Sequence, residues 1–145
     1  MRKFFATFIF GVLLVSSTLC FAAVDGGKIA LGSLFPGMSA NALIDACGQP
    51  QSKSGDDWHY QNFTAEVERG VVESISTRSN SIMTPDGVRV GQAATVLNST
   101  FGSADKIDHD SDGTEYEFYS TDRTKKIEFT VVNGVIAKIS CKIND

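Results

Sequence analysis

Three aspartates at alternate positions form the motif in the sequence that most specifically suggests a chemical function. Asp108, Asp110 and Asp112 are followed by a glycine, which reproduces the first half of a calcium-binding loop, where alternating carboxylates converge before a sharp turn. The second half departs from that pattern, because Tyr119 stands where the loop should end in a bidentate glutamate. An Asp-Gly pair is also a common turn between strands. Calcium binding, a solvated acidic hairpin loop and contact with a protein partner all stay open.

Aromatic residues are the second group of candidates, and they suggest a binding surface. The four are Trp58, Tyr60, Tyr116 and Phe118. Large aromatic side chains anchor interfaces by filling pockets on a partner, but they fill cores as well. Trp58 and Tyr60 are expected to be the more exposed pair, because Gly55, Asp56 and Asp57 before them suggest a hairpin tip.

The sequence contains no recognisable catalytic motif. His59 and His109 are its two histidines, and neither stands at a metal-ligand spacing from the other or from a cysteine. It has no nucleophile elbow, no phosphate-binding loop and no histidine-rich metal pattern. We therefore expect a protein that is not an enzyme, with calcium as the one cofactor to consider.

The N-terminus has the pattern of a secretory signal peptide. Arg2 and Lys3 precede an uncharged, mostly apolar stretch over residues 4–21, and small residues follow. Cleavage after Ala22 would place small side chains at both positions that the signal peptidase reads. The predicted signal peptide is therefore residues 1–22, and the mature chain would reach the periplasm or the exterior with no membrane span.

Two alternatives to cleavage stay open. An uncleaved apolar segment would be a membrane anchor, although its length is marginal for a spanning helix. Cys20 could also carry a lipid, but Leu19 stands where a lipoprotein signal normally has Gly, Ala or Ser.

The net charge of the mature chain limits the classes of partner that it can bind. Removing residues 1–22 takes away two of the 13 basic residues and none of the 17 acidic ones, which leaves 11 against 17 and a net charge of −6. Nucleic acid and anionic lipid demand clustered Lys and Arg, which this chain lacks. A basic protein or a divalent cation fits a negative chain better, and a protein or another cell-envelope component is the expected partner.

Two cysteines, Cys47 and Cys141, remain after cleavage, in a compartment where disulfides can form. A bridge between them would join the first predicted helix to the last strand. The alternative is that each is a small core residue, and it is favoured because one long-range pair is a weak disulfide pattern.

Two segments of the sequence resemble each other. Gly37–Gly48 and Gly91–Gly102 both run from Gly to Gly with Leu at the same place, and a Gly-Val-x-x-x-Ile-Ser stretch follows each of them. We interpret the segments as parts of two copies of one unit, roughly residues 29–79 and 84–143. The second copy is longer, and the aspartate motif lies in its extra residues.

Each copy predicts a short helix followed by strands. Leu43, Ala46 and Cys47 fall at the i, i+3 and i+4 positions of one helix face. Aromatic and β-branched residues separated by turn signals come next, and Asn133-Gly134 is a strong hairpin signal. The predicted fold class is α+β, with two tandem repeats, each a short helical segment packed on an antiparallel β-meander. Such a sheet normally buries one face and leaves the other in water.

The order of these motifs resembles the β-lactamase-inhibitor-protein-like superfamily, which also takes in small outer-membrane assembly lipoproteins. The shared order is Gly-Met-Ser, a short helix ending in Gly-x-Pro, an aromatic strand and a hairpin closing with Gly-Val-Val-x-x-Ile. The residues that carry the resemblance are Gly37, Gly48, Pro50, Gly70, Gly91, Gly102 and Gly134. All of them are structural, and Ala104 replaces the proline in the second copy. The resemblance implies a tandem-repeat binding fold and assigns no functional residue.

These observations predict an exported, non-catalytic module that binds a protein or cell-envelope ligand through a sheet face and its hairpin loops. One alternative is a calcium-binding structural protein built around the aspartate motif. The other, which the resemblance alone implies, is an inhibitor of a secreted hydrolase such as a β-lactamase.

Overall fold

The structure is a computed structural model that describes residues 23–145. The predicted signal peptide, residues 1–22, lies outside the described residues. Within the described part of the chain, no helix is both long enough and apolar enough to cross a membrane.

The described chain contains eight strands, two short α-helices and one turn of 3₁₀ helix. In chain order these are the 3₁₀ helix Gly26–Lys28, α1 (Ala40–Cys47), β1 (Ser52–Ser54), β2 (Asp57–His59), β3 (Thr64–Glu68), β4 (Val71–Thr77), α2 (Thr95–Phe101), β5 (Lys106–Asp110), β6 (Gly113–Tyr119), β7 (Lys125–Val132) and β8 (Val135–Ile143). All eight strands form one antiparallel sheet in the order β1-β2-β3-β4-β8-β7-β6-β5.

The prediction of two tandem repeats, each with its own meander, is wrong. The structure has a single eight-stranded sheet, because β4 pairs with β8 from Ser74 opposite Lys142 to Thr77 opposite Ile139. Two separate meanders would each leave an edge strand with unpaired N–H and C=O groups. Pairing these edges satisfies the backbone groups and joins all the strands over one core. The proposed unit boundaries at 29–79 and 84–143 stay predictions.

The helices depend on the sheet for their stability. The Ser39 side chain accepts a hydrogen bond from the N–H of Ala42 at 3.1 Å and so begins α1, whereas α2 has no side-chain cap. Helices this short do not persist alone in water. Leu43 on α1, and Leu97 and Phe101 on α2, are buried and hold both helices against the strands.

One face of the sheet forms the core, and we call it the covered face. Directly paired residues on neighbouring strands point to the same side. One such row contains Trp58, Ala65, Ile75, Cys141, Ile127 and Phe118. Phe101 of α2 packs on this side, with its ring centroid 5.2 Å from that of Phe118 and 5.3 Å from that of Phe129. Apolar residues of the N-terminal segment, including Ile29 and Leu31, join the same cluster.

Tight turns and bulges shape the two longest hairpins. Asn133 and Gly134 both have positive φ, at 51° and 75°, and connect β7 to β8, so the predicted hairpin turn is confirmed. The pairing shifts by one residue between Thr130 and Val131, and likewise between Glu66 and Val67 in the β3–β4 pair. Such bulges increase the local twist of a sheet.

Candidate functional site

The side of the sheet opposite the core, which we call the open face, carries polar residues on every strand. Its central polar row crosses the whole sheet through consecutive cross-strand pairs. The row consists of Ser52, His59, Thr64, Ser76, Ser140, Glu128, Glu117 and Lys106. Both helices direct their buried residues to the covered face instead. The open face is therefore polar across all eight strands, and its accessible part lies on either side of the buried Ser140, Glu128 and Glu117.

The β5–β8 half of the open face contains an ion-pair chain in which positive and negative groups alternate. Its members are Asp108, Lys106, Glu117, Lys126, Glu128 and Lys142. The Lys106 Nζ atom lies 2.9 Å from Asp108 and 3.7 Å from Glu117. Because each charge has a neighbour of opposite sign, this half of the face is largely neutralised.

Lys126 is the central member of the ion-pair chain. Glu117 and Glu128 are direct cross-strand neighbours and are only 4% and 5% exposed, an arrangement that would be destabilising for two carboxylates alone. The Lys126 Nζ atom lies 3.6 Å from Glu117 and 2.8 Å from Glu128. Lys142 also pairs with Glu128, and the Tyr119 hydroxyl donates a hydrogen bond to Glu117 at 2.8 Å. These contacts compensate both buried charges.

Glu128, a member of the ion-pair chain, and Glu115, which lies beside it, have pKa values shifted in opposite directions. Burial alone would raise the pKa of Glu128, but the hydrogen bonds and charges of Lys126 and Lys142 outweigh it, so its pKa is lowered. Burial raises the pKa of Glu115, and repulsion by Glu128 adds to the effect. The ion pairs thus stabilise the ionised form of Glu128, whereas burial and charge repulsion destabilise the ionised form of Glu115.

An acidic cluster lies at the edge of the open face, where β5 meets β6. Carboxylate oxygens of Asp108, Glu115 and Glu117 lie within 4.8 Å of one another, and oxygen ligands of this type suit Ca²⁺. Lys106 contacts two of the three carboxylates and competes with any cation for them.

The predicted calcium motif has a different geometry from a calcium loop. Asp108 and Asp110 lie in β5, and the Oδ1 atom of Asp110 accepts a hydrogen bond from the backbone N–H of Asp112 at 2.8 Å, which shapes the turn. Gly113 has a φ of 144°, and a Cβ atom there would lie 2.4 Å from the Val131 carbonyl oxygen. The glycine is therefore explained by its close approach to β7. Of the three aspartates, Asp108 is the one that belongs to the acidic cluster, and calcium binding stays a prediction.

The four predicted aromatic residues do not form one surface. Trp58, Tyr116 and Phe118 all pair with covered-face residues, and β3, β4, β8 and β7 separate the first of them from the other two. Phe118 is 1% exposed and packs in the core, so its assignment to a binding surface is wrong. Tyr116 is half-buried beside an apolar groove next to α2, with the edge residue Ile107.

The Trp58 and Tyr60 side chains are also half-buried, although they were expected to be exposed. The Lys53 Nζ atom lies 3.9 Å from the ring centroid of Trp58. Tyr60 stacks on Phe63 with 4.5 Å between ring centroids, and its hydroxyl donates to the Gly48 carbonyl at 3.0 Å. These contacts give both rings an internal structural role.

Both cysteines of the described chain are free. Cys141 is buried in the middle of the sheet, where desolvation raises the pKa of its thiol, and it serves as a small core residue. Cys47 is exposed at the end of α1, so the expectation that it is a core residue is wrong.

The central polar row and the ion-pair chain were missed by the sequence analysis. The signal for them is the alternation of polar residues at i, i+2 and i+4 in several strands, for example Lys138, Ser140 and Lys142 in β8. That alternation becomes visible as one surface only when the strands are placed in register.

No protein-family model matches the chain, and no curated protein matches it in sequence. Its structure is similar to the crystal structure of a DUF4309 family protein from Bacillus subtilis, with a TM-score of 0.57 and 12% identity, over 81% of this chain and 86% of that one. It is also similar to an extracellular protein containing a SCP domain from Bacillus anthracis, with a TM-score of 0.56 and 10% identity, over 77% of this chain and 44% of that one. A cysteine-rich secretory protein from Staphylococcus aureus matches with a TM-score of 0.56 and 7% identity, over 85% of this chain and 51% of that one. This chain thus spans about half the length of the last two proteins, and at these identities the likeness shows the fold alone.

Proposed function

We propose that this chain is an exported, non-catalytic binding module that engages a protein or cell-envelope ligand through the open face of its sheet. The observation that carries the proposal is the central polar row, which runs through all eight strands on the side away from the helices. A sheet needs one buried face for stability, and the other face is then available for a ligand.

The two halves of the open face can contribute to binding in different ways. On β1–β4 the central polar row contains no carboxylate, lysine or arginine and consists of Ser52, His59, Thr64 and Ser76. Their hydroxyl and imidazole groups can both donate and accept hydrogen bonds. On β5–β8 the charges of the ion-pair chain are already paired with one another, so they fix the shape of the surface and discriminate among partners.

Export is supported by two independent features. Residues 1–22 have the charge and hydropathy pattern of a signal peptide. Two of the structurally similar proteins are described as extracellular and secretory, respectively. A binding face on an exported chain would meet cell-envelope components or secreted proteins.

Blocking the open face tests the proposal. Ser54 and Ser74 lie in one cross-strand row on this face, beside the central polar row. Ser54→Arg and Ser74→Arg add bulk there without removing a buried charge, and each arginine can pair with the adjacent Asp57 or Glu66. We expect the mature chain to co-sediment with a purified envelope fraction and the double variant to lose that binding.

The matched control is Asn41→Arg, which adds the same side chain to the exposed surface of α1. It should bind as the unchanged protein does, and thermal unfolding should show all three proteins folded. Equal binding by the double variant, or equal loss in the control, would remove the open face from the proposal.

A further inference from the structure

We propose that the open face contains a specific site for an acidic sugar, in a groove where β3 and β4 end beside β8. This basic groove has a volume of about 310 Å³, and its lining includes Thr64, Ser76, Arg78 and Lys138. Thr64 and Ser76 belong to the central polar row, and Lys138 lies on the same face. The inference rests on the proposed function, since it names the ligand class of one part of the open face.

Charge is the first argument for an anionic ligand. Across residues 23–145, neither Arg78 nor Lys138 has a carboxylate within 4.0 Å, whereas Lys106, Lys126 and Lys142 on the open face all have one. Two cations that line one groove without acidic partners create a local positive potential in a mature chain of net charge −6. A guanidinium beside an ammonium group suits a carboxylate, which the arginine can bind through two hydrogen bonds.

The remaining lining groups suit a sugar ring. The Thr64 and Ser76 hydroxyls both donate and accept hydrogen bonds, as does the Asn62 amide, and sugar hydroxyls require partners of both kinds. Tyr60 and Phe63 stack with an interplanar angle of 12° and pack against the core, and the part of them that lines the groove is an apolar wall. Such a wall can pack against the C–H groups of a sugar ring, which a simple inorganic anion lacks.

The groove is held in shape by a buried hydroxyl. Thr77 is 2% exposed; its Oγ1 atom donates a hydrogen bond to the Asn62 carbonyl at 2.6 Å and accepts one from the Ser79 N–H at 3.0 Å. These bonds connect the segment before β3 to the segment after β4. A preformed groove loses little conformational freedom when it binds. Its volume is near the lower limit for small-molecule sites, which favours a single sugar unit.

Isothermal titration of the mature chain, residues 23–145, with three probes tests the assignment. Glucuronate carries the sugar ring and a carboxylate, glucose carries the ring alone, and inorganic phosphate carries charge alone. We expect glucuronate to bind more tightly than either of the others. Arg78→Gln and Lys138→Gln should each weaken glucuronate binding by about tenfold, as expected for the loss of one charge-assisted hydrogen bond.

Arg89→Gln is the matched control, because Arg89 is exposed, lies outside the groove and has no carboxylate within 4.0 Å in the described chain. It should bind glucuronate as the unchanged protein does. The inference is overturned if glucuronate does not bind, if both groove variants bind it normally, or if phosphate binds equally well. Ser54 and Ser74 lie outside the groove lining. If their double variant loses envelope binding and the unchanged protein does not bind glucuronate, the sugar site is overturned and the proposed function is not.

Discussion

The covered and open faces are made from alternate residues of the same strands, yet they are stabilised by different interactions. In β8, Ile139 and Cys141 are buried in the apolar core, whereas Ser140 and Lys142 face the other side. The covered face depends on helices and aromatic packing. The open face instead contains buried carboxylates compensated by lysines, which satisfies its charges without a layer of helices. A sheet can therefore keep one side available for a ligand and still avoid unpaired buried charge.

The largest effect should come from the core of the covered face. Phe118→Ala removes a ring that is 1% exposed and contacts Phe101 and Phe129, so we expect the free energy of unfolding to fall by about 3–5 kcal/mol. Ile107→Ala is the control on the edge strand β5, where the side chain is 49% exposed, and it should cost less than about 1 kcal/mol. Urea unfolding measures both. Similar losses for the two variants would contradict the assignment of Phe118 to the core.

A smaller loss should follow from breaking the ion-pair chain on the open face. Glu128→Gln removes the buried carboxylate that Lys126 and Lys142 share, and we expect about 1–3 kcal/mol of destabilisation at pH 7. The pKa of Glu128 is lower in the folded than in the unfolded state, so its contribution is present above the ordinary value of 4.5 and is lost as pH falls through the folded value.

The difference between Glu128→Gln and the unchanged protein should therefore shrink in urea unfolding repeated at about pH 3. Glu68→Gln provides the comparison, because the Glu68 carboxylate is half exposed and pairs only with exposed Arg69. Its effect should be small at both pH values. A Glu128→Gln loss that stays constant with pH would show that the ion pairs are not its cause.

The smallest effect is a gain in stability. The pKa of Glu115 is raised in the folded state, so folding favours its protonated form and its ionised form destabilises the protein at neutral pH. Glu115→Gln should raise the free energy of unfolding by up to about 1 kcal/mol at pH 7, and the gain should disappear at acid pH. The unchanged protein and Glu115→Gln should also be compared by unfolding at increasing calcium concentrations. Stabilisation by calcium that Glu115→Gln abolishes would instead identify the acidic cluster as a cation site.

Local structure was largely predictable from the sequence. The Val-x-x-x-Ile-Ser part of the repeated stretch lies within β4 in the first segment and within β8 in the second, and the predicted Asn133-Gly134 turn connects β7 to β8. The strands β1 and β5 were missed. Both are edge strands of mainly polar residues, so they lack the apolar pattern of a core strand, and such polarity is typical of edges that must avoid pairing with other chains.

By itself the sequence predicted an export signal and determined the net charge, the short helices and the hairpins, because these depend on composition and on residues close together in the chain. Only the tertiary structure decided that β4 pairs with β8, since backbone hydrogen bonds between strands far apart in sequence are almost independent of side-chain identity. It also decided which face each aromatic ring occupies, because strand alternation separates residues into two sets without saying which set is buried. The open face, with its ion-pair chain and basic groove, exists only once eight strands are in register.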